Sequence, residues 1–553
     1  MIVWPQTNIS QSRSGTGSLD PFRIKTGSSF SASSSSSSRS SVNAARDRAR
    51  VIDDLREAEA IIANNYAGRT PDIDDLTTNS LRSMLHELDP HSNYYDASEW
   101  KELLDEQKSG YAGIGVSIGS YRENGIDTAY VIGTADNSPA RRAGLKYGDK
   151  IVAVNGRSVI GTDTTSVSGS IRGNVGTSVR ITIARNGSGP VETVELRRVL
   201  VSQPSIPVHY MVSDGVGFIG LTEGFNYTTS DEFAAALKDL HRVGITSLIV
   251  DLRGNGGGIV DQAVKVAETF LPAGTLIVSQ RGRTASETFE WRSNNLKPET
   301  LPLVLIVDEN TASASEIVAG ALQDTDRALI VGSKTFGKGL VQSVIDLPQQ
   351  TGATLTAARY FTPSGRSIQR EYTDVGRYDY FNHRGPVSAI DTPHFEARTI
   401  TGRRVTGGDG ITPDEQVRSE SMTAAQSVLL DPIFFFVRDL ISGRIDGVRT
   451  PKFTKNIGTN QKLTAADQLV PNAFVSEFEK YAIQKNFNGI NAGSFQNETR
   501  FIDLRIRYEI AIAEYGTNAA TQVITEQDSE LAAAIKLLPK AGQLAATAAR
   551  YFK

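Results

Sequence analysis

The rhythm of apolar and polar positions changes several times along the chain, and each change marks a boundary. From about Val42 to Lys108 apolar residues recur at helical spacing among charged ones, broken at Arg69-Thr70-Pro71 and at Asp89-Pro90-His91. This predicts a lead-in of a few short helices over 42–109. From about Gly110 to Arg198 the period shortens to β-branched runs such as Ala129 to Ile132, Lys150 to Val154 and Val179 to Ala184, separated by Gly and Asn turns. That pattern predicts a small β-rich domain over 110–200. Over 201–414 strand-like runs (Gly217 to Leu221, Ser247 to Leu252, Leu303 to Val307, Ala328 to Val331) alternate with helix-like ones (Ser230 to Leu240, Val260 to Phe270, Ala314 to Leu322). Such alternation is the mark of an α/β core with an at least partly parallel sheet and flanking helices. From 415 to 553 the pattern is mainly helical, as in Asp431 to Ile441, Asn472 to Lys485 and Ile502 to Glu514. The stretch Gly27 to Ser41 is almost all serine and cannot bury enough apolar surface to offset its ordering entropy, so residues 1–41 are expected to form a disordered leader.

Composition narrows the function classes. At 553 residues the chain exceeds what one hydrophobic core supports, and its 58 Lys and Arg nearly balance 62 Asp and Glu, so neither nucleic acid nor an anionic membrane is the favoured partner. With no cysteine there is no thiolate nucleophile, thiolate metal site or disulfide, and the chemistry must come from oxygen and nitrogen groups. No run approaches the roughly 20 consecutive apolar residues that a spanning helix needs. Ile2-Val3-Trp4 is stopped at once by Pro5, which leaves the N-terminus without the pattern of an export signal.

Three segments carry candidate chemistry. The apolar run Leu303 to Val307 passes through Asp308 to Thr311 into Ala312-Ser313-Ala314-Ser315-Glu316 and a helical apolar face, which presents a serine at a strand-to-helix turn. Unpaired N–H groups and the positive end of the helix dipole at such a place can steady an oxyanion. Ser313 and Glu316 also fit a capping box, which from these residues alone is the more ordinary reading. A serine hydroxyl needs a base, and no histidine lies near in sequence, although His383 and His394 could fold back. Lys338, in Gly337-Lys338-Gly339 after the strand Ala328 to Val331, reaches the same corner if the two strands are parallel neighbours, and burial against Phe336 or Leu340 would lower its pKa. Gly332 to Lys338 also satisfies a nucleotide-binding P-loop pattern, but position 339 is Gly and Leu340 to Ile345 reads as a strand where a helix should start. Asp251-Leu252-Arg253-Gly254-Asn255-Gly256-Gly257-Gly258 follows another strand, as a glycine turn able to bring N–H groups to a ligand or simply a turn that needs glycine for steric reasons.

Taken in order, Leu88-Asp89-Pro90-His91-Ser92, Gly113-Ile114-Gly115-Val116, Ser138-Pro139-Ala140, Gly148-Asp149-Lys150-Ile151, Asp251 to Gly258, Ser313 to Glu316, Gly337-Lys338-Gly339 with Val341-Gln342, Thr362 to Arg366 and Gly407 to Asp414 resemble the carboxyl-terminal processing peptidases. These are Ser/Lys serine proteases with a PDZ domain, and in them the serine precedes the lysine by the 25 positions that separate Ser313 from Lys338. The resemblance covers roughly Val51 to Asp414. It implies an α/β protease core with a mixed sheet, a small β-rich PDZ domain and a C-terminal helical region. Ser313 would be the nucleophile rather than Ser315, Lys338 its base and Gln342 the residue that orients the lysine. The oxyanion hole would use the backbone of Ala314 and of Gly257 or Gly258. Gly113, Ile114, Gly115 and Val116 would hold a substrate tail as an added strand, and Arg172 would couple tail binding to the active site. No metal or cofactor is implied. The implied partners are proteins with unfolded C-termini, with a homo-oligomer through the C-terminal region, where Phe434, Phe435 and Phe436 fit either an interface or a core. The implied location is outside the cytoplasm, in a periplasm or cell envelope. The other class of reading is a catalytically silent PDZ scaffold, against which the joint presence of Ser313, Lys338 and Gln342 argues.

Overall fold

The computed structural model describes residues 19–25, 38–187, 189–372, 376–382, 396–445, 473–487 and 489–552. A six-stranded sheet forms the centre, in the order 208–213, 216–220, 247–251, 303–307, 329–332 and 415–416, parallel throughout except for its first pair. The near-continuous apolar run Leu303–Val307 is explained by burial on both faces. Leu303, Leu305 and Val307 pack with the helices Thr229–Arg242, Val260–Glu268 and Ala314–Asp324, while Val304 and Ile306 pack under the C-terminal helix Ser529–Ala548 through Leu531, Ala534, Leu538 and Ala541. A second sheet carries Leu276–Gly282, Phe289–Arg292, Leu340–Asp346 and Gly352–Phe361, with Asn93–Tyr95 from the lead-in at its edge.

The β-rich domain is a six-stranded sheet, 116–123, 126–134, 150–154, 178–184 and 191–197 in order with the short Arg157–Ser158 strand paired to 150–154, around Ile114, Val131, Ile151, Val167, Val179 and Ile181, with the helix Thr164–Ile171 packed against it. It stands on a two-stranded stalk in which Gly110–Gly113 pairs antiparallel with Val199–Ser202. The boundary expected at 200 therefore falls inside a strand. Its outer face is closed by the C-terminal region: Tyr121 stacks on Phe434 with ring centroids 3.5 Å apart, and Tyr147 Oη donates to Glu509 at 2.7 Å. Phe434, Phe435 and Phe436 are buried in this intrachain core.

Two expectations change. The leader is not uniformly without structure, because Leu19–Lys25 pairs parallel with Leu340–Asp346 and the first lead-in helix already starts at Ser38. The register slips between Asp20 and Arg23, around Pro21, which has no N–H to give to a ladder. The division at 414 also does not separate two bodies, since Glu415–Gln416 extends the central sheet and Ser529–Ala548 covers one of its faces.

Candidate active site

Ser313 is the junction between strand and helix, at φ 57° and ψ −116°. A residue with a Cβ holds such a conformation at a cost of about 1–3 kcal/mol, so the surroundings must impose it. They do so from two sides. Asn255 O accepts the Ala312 N–H and the Ser315 hydroxyl, each at 3.0 Å, and the Glu316 carboxylate accepts the Ser313 N–H at 2.8 Å. The Asp251–Gly258 turn is pressed against the serine: a Cβ on Gly257, whose φ is 100°, would lie 2.7 Å from Ser313 Cβ and 2.9 Å from Ala314 N, so no other residue fits there. Ser315 is thus committed to the backbone. The Ser313 hydroxyl, by contrast, is fully buried and has no hydrogen-bond partner among the described residues.

Lys338 lies in the loop that runs from Leu329–Gly332, the parallel neighbour of Leu303–Val307, into Leu340–Asp346, and its N–H and that of Ser313 are both accepted by Glu316. A strand follows the lysine where a P-loop requires a helix. Lys338 is 3% exposed and its ammonium has no partner among the described residues. Burial lowers its pKa from 10.5 to about 7, against the opposing pull of the Asp89 and Glu316 carboxylates.

Glu316 joins the two turns. It accepts the N–H groups of Ser313, Gly337 and Lys338, all at 2.8 Å, and the Thr335 hydroxyl at 2.5 Å. Burial raises its pKa in spite of those four donors. The capping box read from the sequence is therefore half made: the glutamate caps the Ser313 N–H, but the serine hydroxyl is not used on the helix. Gln342 is fully buried, donates from Nε2 to Thr356 Oγ1 at 2.6 Å, and leaves Oε1 unpaired. Ser313 Oγ, Lys338 Nζ and Gln342 Oε1 are thus three buried polar atoms without partners among the described residues, which an ordinary interior avoids.

Of the oxyanion candidates, Ala314 opens its helix, where an N–H has no intrahelical acceptor. The Gly257 N–H is already engaged by Asn255 Oδ1 at 2.9 Å, and Gly258 bridges to Phe225. His383 and His394 lie outside the described residues. His91 lies beside the lysine instead, buried among Phe336, Tyr380 and Phe381, with burial and the charge of Lys338 holding its pKa well below 6.5.

In the β-rich domain Gly113 ends the stalk, Ile114 is a core residue, Gly115 turns at φ 71° with Ser138 close by, and Val116 begins the edge strand of the sheet. An edge strand flanked by the helix Thr164–Ile171 can take on another strand. Arg172 is not brought to the serine and lysine. It pairs with Glu102 of the lead-in at 2.6 Å and lies over the Tyr111 ring at 4.9 Å.

Sequence reasoning assigned no role to Asp89, Ser92, Thr335 or Thr356, and saw in Glu316 only a cap. The accessible signals were a glutamate on an otherwise apolar helix start and a quoted motif, Leu88 to Ser92, without a function.

A strained serine at a strand-to-helix turn, tied through Glu316 to a turn that carries a buried lysine, and a small β-domain with an open edge strand fit a serine peptidase core carrying a PDZ domain. Comparison with known proteins agrees: residues 215–375 match the model of peptidase family S41, and residues 131–185 match a PDZ domain. The chain is 36% identical over 305 residues to the carboxy-terminal-processing protease of Bartonella bacilliformis, covering 54% of this chain and 68% of that one. It is 30% identical over 353 residues to the carboxy-terminal processing protease CtpB of Bacillus subtilis, covering 62% and 71%. Among solved structures, the photosystem II D1 C-terminal processing protease aligns at 27% identity over 66% of this chain and 86% of its own, with a TM-score of 0.35. The chain belongs to the carboxyl-terminal processing peptidases of family S41 and is a serine-type endopeptidase.

Proposed function

We propose that this endopeptidase cuts proteins near their C-terminal tails with Ser313 as nucleophile, Lys338 as general base and Gln342 as the residue that orients the lysine. The observation that carries the reading is the pair of buried, unpartnered groups Ser313 Oγ and Lys338 Nζ on two turns that one carboxylate, Glu316, ties together. A lysine with a pKa near 7 is neutral in a large fraction of molecules at neutral pH and can take a hydroxyl proton. Ser313 Oγ then attacks the scissile carbonyl, the lysine returns the proton to the leaving amine, and water releases the acyl group by the same route. The Ala314 N–H stabilises the oxyanion, joined by Gly257 or Gly258 once the Asn255 bond to Gly257 is exchanged. The tail adds along Val116 with its carboxylate at Gly113 to Gly115, and Arg172 links the occupied PDZ domain to the lead-in. The working location is outside the cytoplasm, and any self-association uses surfaces other than Phe434 to Phe436, which are already buried. No helix among the described residues is long and apolar enough to cross a membrane.

The test is digestion of unfolded β-casein by wild type, Ser313→Ala and Lys338→Ala, with mass spectrometry of the fragments. Cleavage by the wild type alone is expected, with new ends clustered toward the C-terminus. Equal cleavage by all three overturns the assignment.

A further inference from the structure

The segment Asp89 to Ser92 takes no part in the reaction as described, yet it is buried more deeply than the helix before it. Asp89 is 6% exposed, His91 3% and Ser92 0%, while the helix Ile73–His86 has no buried residue. Its hydrogen bonds lead to the base. Asp89 Oδ1 accepts the N–H groups of His91 and Ser92, both at 2.8 Å, and Oδ2 accepts the Ser92 hydroxyl at 2.6 Å. Ser92 Oγ in turn accepts the Thr356 N–H at 3.1 Å, and Thr356 Oγ1 accepts Gln342 Nε2 at 2.6 Å. A path thus runs from a buried carboxylate through Ser92 and the two polar groups of Thr356 to the side-chain amide of Gln342, on the strand that follows Lys338. It ends where it is needed, because the pairing of Leu340–Asp346 with Gly352–Phe361 slips between Val341 and Gln342 and the ladder alone does not fix that side chain.

We propose that Asp89 is a positioning residue for the base, acting through Ser92 and Thr356 on Gln342. This inference rests on the reading of Lys338 as the general base. Asp89 has a second, electrostatic effect, since it and Glu316 are the carboxylates that face Lys338, one from the lead-in turn and one from the helix after Ser313. The other ionisable group packed there is His91, held neutral by burial, with Arg370 and Arg377 beyond it. A negative neighbour favours the charged lysine, so removing it lowers the lysine pKa.

The experiment compares pH profiles of kcat/KM on an unfolded protein for wild type, Asp89→Asn and Ser92→Ala, with Ser313→Ala as the control for the dyad. Asparagine still accepts the two N–H groups, so the turn survives while the charge and the acceptor for Ser92 are lost. Asp89→Asn is expected to lower kcat about tenfold and to move the acidic limb to lower pH. Ser92→Ala should lower kcat by about the same factor with the limb in place, because no charge changes. A wild-type kcat in Asp89→Asn overturns the proposal, as does a reduced kcat with an unmoved limb, which marks a merely structural loss. If Asp89→Asn is too unstable to assay, Ser92→Ala decides alone, and wild-type turnover overturns the proposal. An inactive Ser313→Ala beside an unaffected Asp89→Asn sinks this inference only; a fully active Ser313→Ala sinks the dyad reading as well.

Discussion

Two buried polar centres flank the Asp251–Gly258 turn, and they are built on opposite rules. On one side Arg253 is saturated: it pairs with Asp251 at 2.6 Å, Asp528 at 2.7 Å and Glu530 at 2.6 Å, and all four side chains are almost inaccessible. On the other side Ser313, Lys338 and Gln342 each keep a polar atom with no partner among the described residues. A saturated centre holds structure together, because every charge taken from water has an opposite charge beside it. An unsaturated one leaves groups free to react, and it is the side on which the proposed Ser313 and Lys338 chemistry would run. The glycine turn borders both, so its placement against Ser313 is tied through Arg253 to Asp528 and Glu530 at the start of the C-terminal helix.

The largest expected effect comes from removing either half of the unsaturated centre. Ser313→Ala and Lys338→Ala should each reduce kcat/KM by about 10³-fold or more, and the double variant should lose little beyond that, since groups acting as a unit are not additive. Initial rates of casein cleavage by the three variants check this. Losses that multiply in the double variant would break the contrast, because serine and lysine would then act independently.

Next in size is the saturated centre. Arg253→Met strands three buried carboxylates, which is expected to cost about 3–5 kcal/mol of core stability. Urea unfolding measures the loss, and hydrogen exchange should show Ser529–Ala548 released first, since Asp528 and Glu530 at its start hold the arginine. Unchanged protection of that helix would mean that its apolar face alone secures it.

Much of the unsaturated centre was legible in the sequence, and almost none of the saturated one. Leu303 to Val307, the helix after it and the strand before Lys338 follow from local patterns that both faces of a buried parallel sheet impose, and the spacing of Ser313 and Lys338 was a recognised motif. The partners of Arg253 lie near the other end of the chain, in a region read only as helical. Asp89 and Ser92 reach Gln342 only through Thr356, an ordinary strand threonine in the sequence. Glu316 was seen for its local role, whereas three of its four donors come from the Thr335 to Lys338 loop. Local periodicity predicts elements; it does not predict which distant side chain completes a buried hydrogen-bond set.

A third effect sharpens the contrast through pH. Lys338 has a folded pKa of about 7 against 10.5 when free, so the native state gives up a proton that the unfolded chain retains over that interval. Stability from this group therefore rises with pH between about 7 and 10.5, and the penalty is fully present below 7. Catalysis should rise through the same pKa of about 7 as the lysine becomes neutral. Lys338→Met removes the buried charge at similar volume and should be inactive yet more stable at pH 6, by about 1 kcal/mol or more, or about 2–4 °C in the core transition. Scanning calorimetry at pH 6 and pH 9 checks both signs. A variant less stable than wild type at pH 6 would show that the lysine is paired in solution.

The smallest effect concerns a pair between the two extremes. Arg172 and Glu102 form a contact whose side chains are 34% and 58% exposed. Such a pair contributes about 0–1 kcal/mol, so Arg172→Ala and Glu102→Ala should melt within a degree or two of wild type. Their activities carry the information. If Arg172 only fastens the PDZ domain to the lead-in, the two variants lose activity equally, because either removes the same bond. If Arg172 leaves Glu102 when a tail binds and works elsewhere, Arg172→Ala loses activity on tailed substrates while Glu102→Ala, which frees the arginine, keeps or raises it. Parallel rates on a tailed protein and on the same protein with its last residues removed separate the two outcomes, and they decide whether the stalk at Gly110–Gly113 is a fixed mount or a hinge.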